Sequence, residues 1–262
     1  MSAITLSFAN NKGGVGKTTT TLLMGQAFAR MGKRVLFIDF DSQANLTIMT
    51  EGEEPRNYDL TIADALVDSK VEPIIKVSDN LDIIPSNLSL SGFEGNSSIT
   101  GPDRFYRLLD LVEKLRDRYD FILVDCPPAL GILTYNAFIA SDYLVMVSTP
   151  SELSILGLNM IYKMYKEIRS NVRLNPKLQL AGTIVNIFEQ NRSTASLFLK
   201  KIEADPGLMM IRPVIKKAIA VEKASALRMS LFEYAPDADV TSQYIEVAEN
   251  LMARILTDQA AK

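Results

Sequence analysis

Histidine and tryptophan are absent from this 262-residue chain, and cysteine occurs once, at Cys126. With no histidine and one cysteine, an intrachain disulfide, a Cys/His zinc centre and Ser-His or Cys-His nucleophilic catalysis are excluded. Long apolar runs are missing too: no stretch reaches the ~18 consecutive apolar residues that span a membrane. Met1-Ser2 leads directly into a strand-like run with no basic leader, so neither secretion nor membrane insertion is expected. Disorder is excluded by the 47% of hydrophobic residues against 23% charged, the balance of a chain that can bury a core. Chemistry here must run on lysine, aspartate and hydroxyl groups, with or without a bound ion.

A formal charge of −3 argues against a wholly basic nucleic-acid binder, but the charge is uneven. Residues 192–228 carry +5, whereas residues 229–262 carry −4. Short β-branched runs recur at Ile4–Ala9, Val35–Asp39, Leu81–Pro85, Phe121–Asp125, Tyr143–Thr149, Leu180–Asn186 and Leu208–Ile215. Between them lie segments of helical spacing at Lys17–Met31, Pro102–Arg118, Leu153–Arg169, Thr194–Glu203, Lys217–Leu227 and Asp237–Leu256. This alternation predicts one doubly wound α/β domain over residues 1–262, a mostly parallel sheet flanked by helices. Ser86–Thr100, rich in Ser, Asn and Gly, reads as a long surface loop.

The strongest motif follows the first strand and opens the first long helix: Asn10-Asn11-Lys12-Gly13-Gly14-Val15-Gly16-Lys17-Thr18-Thr19. Against the pattern G-x-x-x-x-G-K-[ST], Asn11 replaces the first glycine. Strand, Gly-rich loop and helix is the context of a P-loop, in which backbone N–H groups converge on phosphate oxygens. Lys17 supplies a point charge and the Thr18 hydroxyl can hold Mg²⁺. Phe121-Ile122-Leu123-Val124-Asp125 reads as a buried strand that puts Asp125 at the carboxyl edge of the sheet, where the metal would sit. The second strand likewise ends in Asp39 and Asp41, two carboxylates of which one can orient an attacking water. No [NT]-K-x-D guanine-reading motif is present, which favours ATP. Asn186, at the end of the sixth strand, suits either the adenine edge or an ordinary turn.

Together with Asp39-Phe40-Asp41-Ser42-Gln43-Ala44-Asn45, Ile84-Pro85-Ser86-Asn87-Leu88, Tyr119-Asp120 ahead of the Asp125 strand, Cys126-Pro127-Pro128, Leu130-Gly131, Asn175-Pro176 and Tyr244…Ala248-Glu249, the motif resembles the deviant Walker A ATPases of the ParA/MinD group. Over nearly its full length the chain is most similar to the short, Soj-like ParA partition proteins. The resemblance implies that Lys12 reaches the nucleotide of a partner subunit in an ATP sandwich homodimer. It implies further that Lys17 binds the β- and γ-phosphates, Thr18 ligates Mg²⁺ and Thr19 touches the α-phosphate. Asp41 would then position the hydrolytic water, with Asp39 and Asp125 supporting the metal through water.

One cysteine excludes the iron–sulfur-bridging relatives of this group. The last helix puts Tyr244, Ala248, Leu251 and Ile255 on one face with Glu246, Glu249 and Asp258 around it, an acidic helix expected to pack on the core and not on a membrane. No tyrosine-rich tail follows Tyr244, and no helix-turn-helix extension precedes the P-loop, so operator binding is not expected. Relatives of the ParA kind bind double-stranded DNA without sequence specificity when dimerised on ATP, which implies that role for Arg192, Lys200, Lys201, Lys216, Lys217, Lys223 and Arg228. Soj-like relatives carry an arginine near this point that is missing from Lys216-Lys217-Ala218-Ile219-Ala220. The expected protein is a cytoplasmic, nucleoid-associated Mg-ATPase whose hydrolysis a ParB-like centromere-binding partner stimulates. The alternative is a MinD-like or cargo-positioning ATPase on a protein or membrane matrix. A metabolic ATP-dependent ligase on the same fold ranks last, because no dedicated acceptor-pocket residues are evident.

Overall fold

The computed structural model describes residues 2–51, 58–68, 70–95, 102–189 and 193–261. In chain order the elements are β1 (Ile4–Ala9), α1 (Lys17–Arg30), β2 (Val35–Asp39), α2 (Asn45–Glu51), α3 (Ile62–Val67), β3 (Ile75–Ser78), β4 (Leu81–Ile84), α4 (Ser91–Gly95), α5 (Arg107–Leu115), β5 (Phe121–Asp125) and α6 (Ile132–Ala140). They continue with β6 (Tyr143–Ser148), α7 (Glu152–Ser170), β7 (Gln179–Val185), α8 (Ser193–Ala204), β8 (Met210–Ile211), α9 (Ile219–Ala226), α10 (Leu231–Tyr234) and α11 (Asp239–Ala260). One eight-stranded sheet runs β3-β4-β2-β5-β1-β6-β7-β8. All its pairings are parallel except β3 with β4. The doubly wound architecture expected from the alternating runs is what the chain adopts.

The central strands read as continuous apolar runs because both of their faces are covered. Side chains alternate between two cores with the period of a strand. Leu36, Ile38, Ile122, Val124, Leu144 and Met146 point to the layer of α3, α5, α6, α7 and α8. Val35, Phe37, Phe121, Leu123, Val145 and Val147 point to the layer of α1, α9, α10 and α11. On α11 the predicted face, Tyr244, Ala248, Leu251 and Ile255, is fully buried in the second core. No helix among the described residues is long and apolar enough to cross a membrane.

Three expectations are corrected. The run Leu208–Ile215 holds only the two-residue strand β8, since Pro213 has no N–H to give a ladder; Ile215 N–H still reaches the Val185 carbonyl at 2.9 Å. The stretch Ser86–Thr100 contains a 3-10 turn at Leu88–Leu90 and then α4, anchored by buried Leu90 and Phe93, while its residues 96–100 lie outside the described residues. The helix predicted over Pro102–Arg118 is a 3-10 turn at Pro102–Phe105 followed by the shorter α5.

Candidate functional site

Because β1, β2 and β5 are parallel neighbours, their last residues meet at one edge of the sheet, and Asp39 is the register partner of Asp125. The loop after β1 turns over this edge into α1. Gly16 takes a left-handed conformation (φ 81) at the start of α1, and a β-carbon there would fall 2.5 Å from Asn186 Nδ2. Only glycine fits that turn. No side chain caps the helix, leaving the first-turn N–H groups and the positive end of the helix dipole at the loop.

Lys17 is buried, and its Nζ donates to the Lys12 carbonyl at 3.3 Å. Burial lowers its pKa, while the charges of Asp125, Cys126 and Asp41 act to raise it. Asp39 and Asp125 are both fully buried. Desolvation pushes Asp39 up to about 6, against hydrogen bonds from Thr47 and Asp41. Desolvation and the neighbouring Asp39 push Asp125 up to about 7, against a hydrogen bond from Thr18 and the Lys17 charge. Thr21 also donates to Asp125, Oγ1 to Oδ1 at 3.3 Å. Two carboxylates pressed together opposite one lysine, with the Thr18 hydroxyl beside them, fit a hard divalent cation that keeps part of its water shell. Asp41, on the half-buried turn after β2, accepts Gln43 N–H at 3.0 Å.

The other predicted nucleotide residues fall around this point. Gly13 and Gly14 are exposed at the loop crest, Val15 is buried beneath it, and Thr18 and Thr19 are half-buried. A cavity of about 430 Å³ opens next to Gly16 and Thr19, lined also by Asn186, Lys216, Lys217 and Tyr244. Asn186 is held by protein: Nδ2 donates to Thr20 Oγ1 at 3.1 Å, and Oδ1 accepts from Ile187 N at 2.8 Å and from Tyr244 Oη at 3.4 Å. Asn186 therefore braces the first turn of α1 as well as lining the cavity.

Several contacts that shape the site are not legible in the sequence, although Asn10 itself opens the loop motif. Asn10, fully buried, donates through Nδ2 to the Val147 carbonyl at 2.7 Å and to Ser154 Oγ at 3.3 Å, and its Oδ1 accepts Lys12 N–H at 2.9 Å. Gly157 in α7 makes room for that side chain. Thr47, also buried, donates twice to Asp39. The Val147 and Ser154 partners of Asn10 lie 137 and 144 positions away in sequence, so the available signal for this clamp was only a polar residue in an apolar setting. The motif residues outside the site have structural partners: Tyr119 Oη donates to Asp82 at 2.8 Å, and Asn175 Nδ2 caps the carbonyls of Phe138, Ile139 and Ser141 at 2.8–3.1 Å.

The basic residues are not one patch. Lys200 and Lys201 are exposed on α8, over the α7 layer, and Lys201 lies 5.1 Å from the centre of the Phe198 ring. Lys216, Lys217, Lys223 and Arg228 are exposed around α9 on the opposite layer, with Lys217 paired to Glu189 at 3.1 Å. Arg192 lies outside the described residues. On α7, Leu153, Leu156 and Met160 form an apolar stripe at 65%, 54% and 48% exposure. Met160 meets the P-loop directly, where Asn11 Nδ2 lies 3.0 Å from its sulfur.

Comparison with known proteins agrees with this geometry. A family model described as an AAA domain matches residues 3–180. The chromosome partitioning protein ParA of Caulobacter vibrioides is 32% identical over 97% of this chain and 96% of its own length. The sporulation initiation inhibitor protein Soj of Bacillus subtilis is 30% identical, covering 95% of this chain and 98% of its own length. In fold, the chain is similar to cobyrinic acid a,c-diamide synthase from Mycobacterium smegmatis with bound ADP and magnesium: the TM-score is 0.84 at 24% identity, over 98% of this chain and 96% of that one. On the P-loop, the two aspartate-ended strands and these full-length similarities, the chain belongs to the ParA family of ATPases.

Proposed function

We propose that residues 1–262 form one Mg²⁺-dependent ATPase domain that dimerises on ATP, binds DNA without sequence specificity in that state, and is reset by hydrolysis. A ParB-like centromere-binding protein stimulates the reset, and the protein works in the cytoplasm on the nucleoid. The observation that carries this reading is the arrangement of Lys12, Lys17, Asp39, Asp41 and Asp125 around one P-loop at one sheet edge.

The residues divide the work of phosphoryl transfer, which depends on positioning and charge neutralisation more than on covalent chemistry. The loop from Gly13 to Thr19 presents N–H groups to the phosphates, and Lys17, already turned toward the loop, neutralises the β- and γ-oxygens. Thr18, with Asp125 and Asp39 through water, would hold Mg²⁺, which would supply further neutralisation of phosphate charge. Asp41 orients the attacking water from the turn after β2. The cavity beside Gly16 and Asn186 receives the base and ribose.

Lys12 is only partly buried and holds its own loop through its backbone N–H and carbonyl, which leaves the side-chain ammonium for a role across a dimer interface, much like an arginine finger. The stripe Leu153, Leu156 and Met160, continuous with Asn11, supplies an apolar surface for a second copy of this chain to cover. Measuring molar mass and ATP turnover for the wild type, Lys12→Ala and Asp41→Ala tests this. The reading expects ATP-dependent dimers and turnover in the wild type, monomers without turnover in Lys12→Ala, and stable dimers without turnover in Asp41→Ala. Wild-type turnover by a protein that stays monomeric would reject the dimer mechanism.

A further inference from the structure

The Asp39 carboxylate is the hub of a buried hydrogen-bond network that no part of the P-loop supplies. Its Oδ2 accepts Thr47 N–H at 2.8 Å and Thr47 Oγ1–H at 2.7 Å, and its Oδ1 accepts Asp41 N–H at 3.3 Å. The same Thr47 Oγ1 accepts Ser86 N–H at 3.0 Å, from the loop that leaves β4. One hydroxyl therefore joins α2, the end of β2 and the β4 exit, and it is 3% exposed. The turn between these anchors carries Asp41 and closes on itself through Ala44 N–H to the Asp41 carbonyl at 2.9 Å.

We propose that Thr47 is a positioning residue for ATP hydrolysis: its hydroxyl, bridging Ser86 N–H and Asp39, fixes the turn that aims Asp41 at the attacking water. This deepens the ATPase reading and rests on it. Thr47 touches no nucleotide in this scheme. It acts through Asp39, whose Oδ1 in turn holds the Asp41 backbone. Replacing the hydroxyl with a methyl group of the same shape leaves the Ser86 N–H buried without its acceptor and removes one of two donors to Asp39's Oδ2. The turn then loses its fixed geometry while the P-loop keeps its own.

The test is steady-state hydrolysis at saturating Mg–ATP by the full chain, with binding of a slowly hydrolysed ATP analogue measured in parallel, for the wild type and Thr47→Ser, Thr47→Cys and Thr47→Val. The expected order of kcat is wild type and Ser together, then Cys, then Val, with Val down by about tenfold or more. Analogue affinity stays within about twofold across the series, because the phosphate-binding groups are untouched. A purely structural threonine would instead lower thermal stability with kcat per folded molecule unchanged. Folded Thr47→Val with near wild-type kcat overturns the proposal, as does Thr47→Ser falling as far as Thr47→Val. Should Thr47→Val fail to fold, Ser against Cys decides, and Cys equal to or faster than Ser overturns it. Absence of turnover in the wild type is a separate result, which removes the ATPase reading itself.

Discussion

The side-chain oxygen of Asn10 fills the space above Gly157. A β-carbon at Gly157 would sit 2.2 Å from Asn10 Oδ1 and 3.4 Å from Lys12 N. The first turns of α7 are thereby locked to the root of the P-loop, with Ser154 one turn earlier accepting from the same asparagine. The helix that carries the exposed stripe is packed directly against the root of the P-loop.

Gly157→Ala is expected to push Asn10 off Lys12 N–H, weaken nucleotide binding and lower stability by about 1–3 kcal/mol, the usual penalty of overpacking. Denaturant unfolding together with nucleotide titration checks this. Unchanged values in both would mean that α7 can shift away at no penalty.

The stripe itself gives a second prediction. Leu156→Glu with Met160→Glu, placed on the Asp41→Ala background to hold ATP, should leave a monomer that still binds nucleotide, since neither side chain lines the cavity beside Gly16. Sedimentation in ATP is the measurement. A dimer of undiminished affinity would place the interface elsewhere.

How the sequence reveals this site depends on distance along the chain. The P-loop was legible because its chemistry is contiguous, and Asp39 and Asp125 because each ends an apolar run buried on both faces. The clamp of Asn10 on Ser154 spans 144 positions and the link of Thr47 to Ser86 spans 39, and neither leaves a local pattern. Among the elements, α6 escaped because it is apolar nearly all round and shows no amphipathic period. The antiparallel edge strand β3 escaped because four alternating residues are too few to stand out. The +5 segment looked like one surface only because its residues are close in sequence; the chain crosses the sheet between α8 and α9 and separates them.

Acidity supplies a third prediction. Burial raises Asp39 to about 6 and Asp125 to about 7 from an ordinary 3.8, so between those values the folded chain holds protons that the unfolded chain releases. The stability this pair contributes is full below the ordinary value and is lost as pH rises through about 6 to 7. Without nucleotide, the Tm of the wild type should therefore fall relative to Asp125→Asn as pH rises from about 5 to about 8. Parallel curves for the two proteins would contradict the shared burial of these carboxylates.

The most direct test of the account is DNA binding at moderate salt in ATP–Mg²⁺, in ADP and without nucleotide, for the wild type, Asp41→Ala and the pair Lys223→Glu/Arg228→Glu. That pair lies on the α9 layer outside the cavity beside Gly16, so ATP binding remains as an internal control. The account predicts binding in ATP alone, retained or tightened in Asp41→Ala, lost in the charge-reversed pair, and falling steeply with salt. Absence of DNA binding in every state, with ATP-driven dimers present, would contradict it and make this an ATPase that positions its cargo on a protein or membrane matrix.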